Sequence, residues 1–189
     1  DWRLLLRAGL IAAGISCILT ALQTEPLANV FAGFFIGPIV SFLLSAWLLR
    51  EPVTPLRAIL LAVSFVGVLI VVRPGFGMTF GMGMAVLAGC FHGSYLVATR
   101  WLAGAFRPRF LLLSQLIMGA VILAPLAWGP VPAITGNVTI LLVISAMGSA
   151  MGNLILVLVN RTTPAGVVAP LIYSQLVAAA VFAVPALYA

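Results

Sequence analysis

Charge is what this sequence has least of. Only 6% of its 189 residues are charged, and three of those are acidic. A soluble domain carries about a quarter of its residues as charges. So few cannot clothe a water-facing surface. That excludes a soluble enzyme, a nucleic-acid-binding domain and a disordered linker. Lysine is missing altogether, and all nine basic residues are arginine. Asp1, Glu25 and Glu51 sit at ends or between apolar runs. A carboxylate proton relay inside the membrane is therefore not expected. One histidine and two separated cysteines, Cys17 and Cys90, are too few for a metal site. Both cysteines lie within apolar runs and read as small packing residues. There is no Ser/His/Asp set, no phosphate-cradling glycine loop and no His-Glu zinc motif. Neither catalysis nor a cofactor is expected.

What is abundant is apolar surface, at 64% hydrophobic residues and a mean hydropathy of +1.29. The chain reads as an all-α integral membrane protein, a polytopic helix bundle. A spanning helix needs about 20 mostly apolar residues. Seven such stretches occur, at 4–22, 27–49, 56–73, 78–100, 110–128, 138–159 and 166–188. Charges and helix breakers separate them, as at Thr24-Glu25-Pro26, Arg50-Glu51-Pro52 and Arg107-Pro108-Arg109. Alternating the spans puts Arg3, Arg7, Arg50, Arg57, Arg100, Arg107, Arg109 and Arg161 on one side and only Arg73 on the other. By the positive-inside rule that side is cytoplasmic, so the Asp1 end is cytoplasmic. The net charge of +6 is then a topological signal rather than a nucleic-acid footprint.

Small residues recur at four-residue spacing. Span two has Gly33, Gly37, Ser41 and Ser45; span four has Gly81, Ala85, Gly89 and Gly93; span six has Gly148 and Gly152. Such ladders let helices approach closely in lipid. They read as close packing first, and as a sliding interface second. Pro38, Pro125, Pro170 and Pro185 predict kinks.

Polar groups at bilayer depth are costly and tend to face the bundle interior. His92, Tyr95 and Thr99 share one face of span four, while Ser145, Ser149 and Asn153 share one of span six. Gln115 lies near the inner end of span five, and Tyr173, Ser174 and Gln175 lie in span seven. The candidate substrate-binding set is His92, Tyr95, Gln115, Asn153, Tyr173 and Gln175. The bland readings are a packed, hydrogen-bonded His92 and an interhelical bond for Asn153. Ser16, Thr20, Ser41 and Ser45 read as bonding back to their own helices. Trp2, Trp47, Trp101 and Trp128 read as interfacial belt residues. A neutral, partly aromatic cavity suits an amino-acid-like or other amphipathic solute better than a sugar phosphate, which would call for buried Lys or Arg.

A shift of 138 residues pairs Ala12 with Ala150, Gly14 with Gly152, Thr24 with Thr162, Pro26 with Pro164 and Val30 with Val168. That shift moves five spans, an odd number, so the second copy would be inverted. Inverted repeats are the architecture of alternating-access carriers. The run Pro26-Leu27-Ala28, Pro38-Ile39-Val40, Leu48-Leu49-Arg50-Glu51-Pro52 and Gly67 through Gly75 resembles an EamA-type domain of the drug/metabolite transporter superfamily. Thr163 through Pro170 resembles the matching segment of a second such domain. The resemblance implies ten helices in two inverted five-helix repeats around a central cavity. It implies export or exchange of small organic metabolites. On that register the seven spans are helices three to nine. Residues 1–76 belong to the first repeat (three helices) and 77–189 to the second (four helices). Glu51 carries over as a helix-end structural residue. The missing initiator Met and the apolar run at Ala189 read as cut ends.

The expectation is thus a secondary transporter of the bacterial inner membrane, whose partners are a small-molecule substrate and the lipid bilayer. A homodimer is compatible with this, and a nucleic-acid partner is not. The alternative is a non-transporting scaffold or subunit that packs through its small-residue faces. An intramembrane enzyme lacks its constellation, and a channel lacks a charged ring.

Overall fold

The computed structural model describes residues 1–72, 79–127 and 136–174. Its elements are α1 (Trp2–Leu22), α2 (Leu27–Phe34), α3 (Gly37–Leu48), α4 (Pro55–Val72), α5 (Phe80–Ala103), α6 (Pro108–Leu123), a 3-10 turn (Ala124–Ala127), α7 (Gly136–Thr162) and α8 (Ala165–Ile172). The described residues contain no strand. Four stretches are long and apolar enough to cross a membrane: α1, α2 with α3 as one span, α5, and Val138–Thr162 of α7. Pro55–Ile70 and Pro108–Leu123 are shorter apolar helices. The expected seventh span is represented only by α8, because residues 175–189 lie outside the described residues. The count among the described residues is therefore six rather than seven.

Local chemistry accounts for the boundaries. Pro55 and Pro108 open α4 and α6, where a missing N–H costs nothing. Thr79 caps α5, its Oγ accepting from the Met82 N–H at 3.1 Å. Pro38 has no N–H for the carbonyl of Phe34, and the second span breaks there into α2 and α3. Pro125 falls in the 3-10 turn that ends α6. Pro170 lies in α8, and Pro185 and Trp128 lie outside the described residues. At the end of α3, Arg50 adopts φ 52° and the Glu51 N–H bonds back to the Ser45 carbonyl at 3.3 Å. That closes the helix in the left-handed manner usually left to glycine.

Helix α5 is the hub, packed against α1, α2, α3 and α7, while α6 lies against α1 and α7. The ladders of spans two and four turn out to be two sides of one interface. A Cβ on Gly37 would meet the Gly89 carbonyl oxygen at 2.9 Å, and one on Gly93 would meet the Gly37 carbonyl oxygen closer still. Backbone touches backbone there, which only glycine permits. In contrast, Gly148 and Gly152 of α7 have nothing within 4 Å among the described residues. Ser16, Thr20 and Ser45 bond to carbonyls of their own helices at 3.0, 2.9 and 2.9 Å. Ser41 departs from that expectation: its hydroxyl is buried with no partner among the described residues.

Polar ties join the helix ends. Arg100 of α5 pairs with Glu51 beyond α3 at 3.0 Å and donates to the Asn160 carbonyl of α7. Arg161 donates to the Ala103 carbonyl at 2.9 Å. Glu51 is thus a helix-end tie, as its place in the sequence suggested. At the opposite end, Glu25 accepts from Asn29 at 2.9 Å and from the Thr79 hydroxyl. The Asn29 amide and then the Thr79 hydroxyl hold its carboxyl below the usual glutamate range. Both cysteines are free thiols.

Candidate functional site

The polar centre of the bundle is built around a residue assigned above to topology. Arg7 is not at a loop edge. It lies in the second turn of α1, turned inward and 1% exposed. Its Nε donates to Thr99 Oγ1 at 2.9 Å and its Nη1 to the Leu111 carbonyl at 2.9 Å. Its Nη2 reaches Gln115 Oε1 at 2.6 Å and the Tyr95 hydroxyl at 3.2 Å. The Tyr95 ring lies 5.0 Å from the guanidinium carbon, within cation–π range. The Tyr95 hydroxyl has Gln115 Oε1 at 2.8 Å and Asn153 Oδ1 at 3.2 Å as acceptors. A phenol has one proton, so these two acceptors share or alternate for it. The Asn153 amide nitrogen is anchored to the Ser149 carbonyl at 3.0 Å.

Four helices therefore meet at one network: α1 through Arg7, α5 through Tyr95 and Thr99, α6 through Gln115, and α7 through Asn153. Each residue is placed by helical periodicity. Tyr95 and Thr99 are one turn apart on the buried face of α5, and both are fully buried. Leu111 and Gln115 are one turn apart on α6, and they are the buried residues of that helix. Below the network, Leu4, Leu102, Leu111 and Val157 form an apolar cluster from the same four helices.

Of the six predicted site residues, Tyr95, Gln115 and Asn153 come together. His92 borders them, half-buried, its ring 5.8 Å from that of Tyr95 and 5.0 Å from that of Phe34. Tyr173 does not join. It packs with Phe35, Phe42, Leu61 and Val68, and its hydroxyl donates to the Phe35 carbonyl at 2.8 Å. There it ties the residue after α8 to the α2–α3 break. Gln175 lies outside the described residues.

Arg7 and Thr99 are the members that sequence reasoning left out of the site. A signal for Arg7 exists. Arg7, Gly14 and Ala21 are seven residues apart and all are buried. Gly14 faces α5, where a Cβ would meet the Ala88 carbonyl at 3.5 Å. Arg7 thus sits on the stripe that packs on the hub helix. Arg3 is exposed and lies over the Trp101 ring at 4.6 Å.

Comparison with known proteins fits this picture. A model of the EamA-like transporter family matches residues 79–188. No curated protein matches. A solved structure titled only "Crystal structure of protein" superposes with a TM-score of 0.75 at 18% identity, covering 96% of this chain and 69% of that one. At that identity the likeness is one of fold.

Proposed function

The chain belongs to the EamA-like transporter family, and from that premise we propose that it carries small organic metabolites across the membrane by alternating access. It is a multi-pass membrane protein of the drug/metabolite transporter type. The observation that carries the reading is the Arg7–Tyr95–Thr99–Gln115–Asn153 network. It joins five polar side chains where four helices meet. Polar groups at that depth are too costly to keep without a use. The proposed solute is amino-acid-like or otherwise amphipathic, exported or exchanged without nucleotide hydrolysis.

The proposed architecture is two inverted five-helix repeats, with residues 1–76 in the first and 77–189 in the second. Asp1 faces the cytoplasm of a bacterial inner membrane. The alternating directions of α1, α5, α6 and α7 support this frame. The first turns of α1 and α6 meet the last turns of α5 and α7 at the arginine-rich end. The close α3–α5 glycine contact is a seam along which helices can slide without side chains interlocking.

An efflux screen in cells overexpressing the full-length protein tests the reading. His92→Ala and Asn153→Ala are expected to cut export of the solute it identifies at least tenfold. Undiminished export by both variants would refute this placement of the site.

A further inference from the structure

Arg7 is the one charged side chain that is fully buried among the described residues. A guanidinium does not give up its proton in a protein. Its four hydrogen-bond partners are neutral oxygens. The single ion pair among the described residues, Arg100–Glu51, lies elsewhere. Neutral acceptors take four of its five N–H groups and leave the charge uncompensated, an expensive state for a buried ion.

We propose that Arg7, Tyr95 and Gln115 form the recognition site for a small organic monocarboxylate. Its carboxylate takes the place of the Gln115 amide oxygen on Arg7. This rests on the transporter reading and names what its site takes. Three features set the chemistry. The guanidinium fork can hold a carboxylate in two parallel N–H···O bonds, through the Nη2 N–H that Gln115 releases and the Nη1 N–H not given to Leu111. Once its oxygen is displaced, the Gln115 amide can turn its N–H toward the same anion, and the Tyr95 hydroxyl is a third donor. A single cation neutralises a single negative charge, so a dianionic phosphate ester would leave one buried charge unmet.

The shape of the neighbouring space sets the body of the solute. Gln115 also lines a groove of about 160 Å3 between α1 and α6, walled by Ile11, Ala12, Ile15, Leu116 and Gly119. An apolar cavity of about 150 Å3 holds one benzene molecule. Gln115 is the residue that the groove and the Arg7 network share, so the proposed solute seats a ring-sized apolar body in the groove and turns its carboxylate past Gln115 toward the guanidinium.

Benzoate, benzamide and phenyl phosphate separate the possibilities, applied to the purified full-length protein in detergent. Benzoate at about 10 mM is expected to raise the melting temperature by at least about 3 °C, and the other two to leave it unchanged. Gln115→Glu supplies Arg7 with an internal counter-charge and is expected to abolish the benzoate shift while the protein stays folded. Arg7→Lys keeps the charge but loses the fork, and a reduced shift is expected. Equal shifts with benzoate and benzamide, no shift with either, or a full benzoate response in Gln115→Glu would overturn the proposal. Liposome flux distinguishes its failure from that of the transporter reading. Flux inhibited equally by benzoate and benzamide removes the carboxylate site and leaves the carrier. A benzoate-specific shift without flux of any solute removes the carrier and leaves the site.

Discussion

Replacing Thr99 with valine tests whether the Arg7 network is an electrostatic centre or ordinary helix packing. The two side chains have nearly the same shape, so the change removes one oxygen and little volume. Thr99 is fully buried and receives the Arg7 Nε–H at 2.9 Å. Without it a charged donor is left unmet in the interior. A hydrogen bond to a charged group contributes about 1.5–3 kcal/mol. A neutral interhelical hydrogen bond in a membrane protein averages only about 0.6 kcal/mol. The expected cost of Thr99→Val is therefore about 2 kcal/mol, clearly above the neutral value. Arg7→Met alone is not diagnostic. It loses four hydrogen bonds but also relieves the desolvation of an unpaired cation, and these terms oppose each other. The double-mutant cycle is diagnostic. With Met at position 7, the Thr99 hydroxyl can turn to the carbonyl one turn back, so Thr99→Val should cost roughly 0.5 kcal/mol or less. The coupling energy should then reach about 1.5 kcal/mol or more. The assay is equilibrium unfolding of the four proteins in mixed micelles. A coupling at or below about 0.6 kcal/mol would refute the charged-centre reasoning.

Three further outcomes follow from the helix ends and the seam. Gly93→Leu places a side chain against the Gly37 backbone and should abolish monodisperse, folded protein on size exclusion, whereas Gly148→Leu, with nothing within 4 Å among the described residues, should leave it unchanged. Arg100→Ala should lower stability by about 2 kcal/mol by stranding Glu51, while Glu51→Gln, which keeps an acceptor for Arg100, should cost under about 1 kcal/mol in the same unfolding assay. Glu25, held below its usual range by Asn29 and Thr79, should stabilise the fold at neutral pH. That contribution should fade as pH falls below the ordinary glutamate value and vanish below the lowered one, so thermal melts of wild type and Glu25→Gln should draw together across that acid range.

How much of this could be read in advance depends on whether one residue or a pair carries the information. Each apolar run declares its own helix, since about 20 apolar residues in lipid have few other ways to satisfy their backbone. Pro38 declared its own break. The ladders were visible singly, but not that Gly37 and Gly89 face each other, because register between helices is a property of pairs. Gly148 and Gly152 have the same spacing as the others and meet nothing among the described residues. Tyr95, Gln115 and Asn153 stood out because a polar group in an apolar run has one economical place to go. Tyr173 met the same criterion and went elsewhere, to the carbonyl of Phe35. A phenol is satisfied equally by a backbone oxygen and by a side chain. Arg7 was misassigned for a physical reason. An arginine within two turns of a helix end can snorkel to the interface, and the charge asymmetry of the loops is equally well served by either placement. Arg3 and Arg7 are one turn apart and take opposite courses, Arg3 onto the Trp101 ring and Arg7 into the bundle. What separates them is the stripe of Arg7, Gly14 and Ala21 that packs on α5. Counting charges by side of the membrane treats the two arginines as equal, whereas helical phase does not. That difference turns the polar centre from neutral to cationic, and the proposed carboxylate site rests on that change.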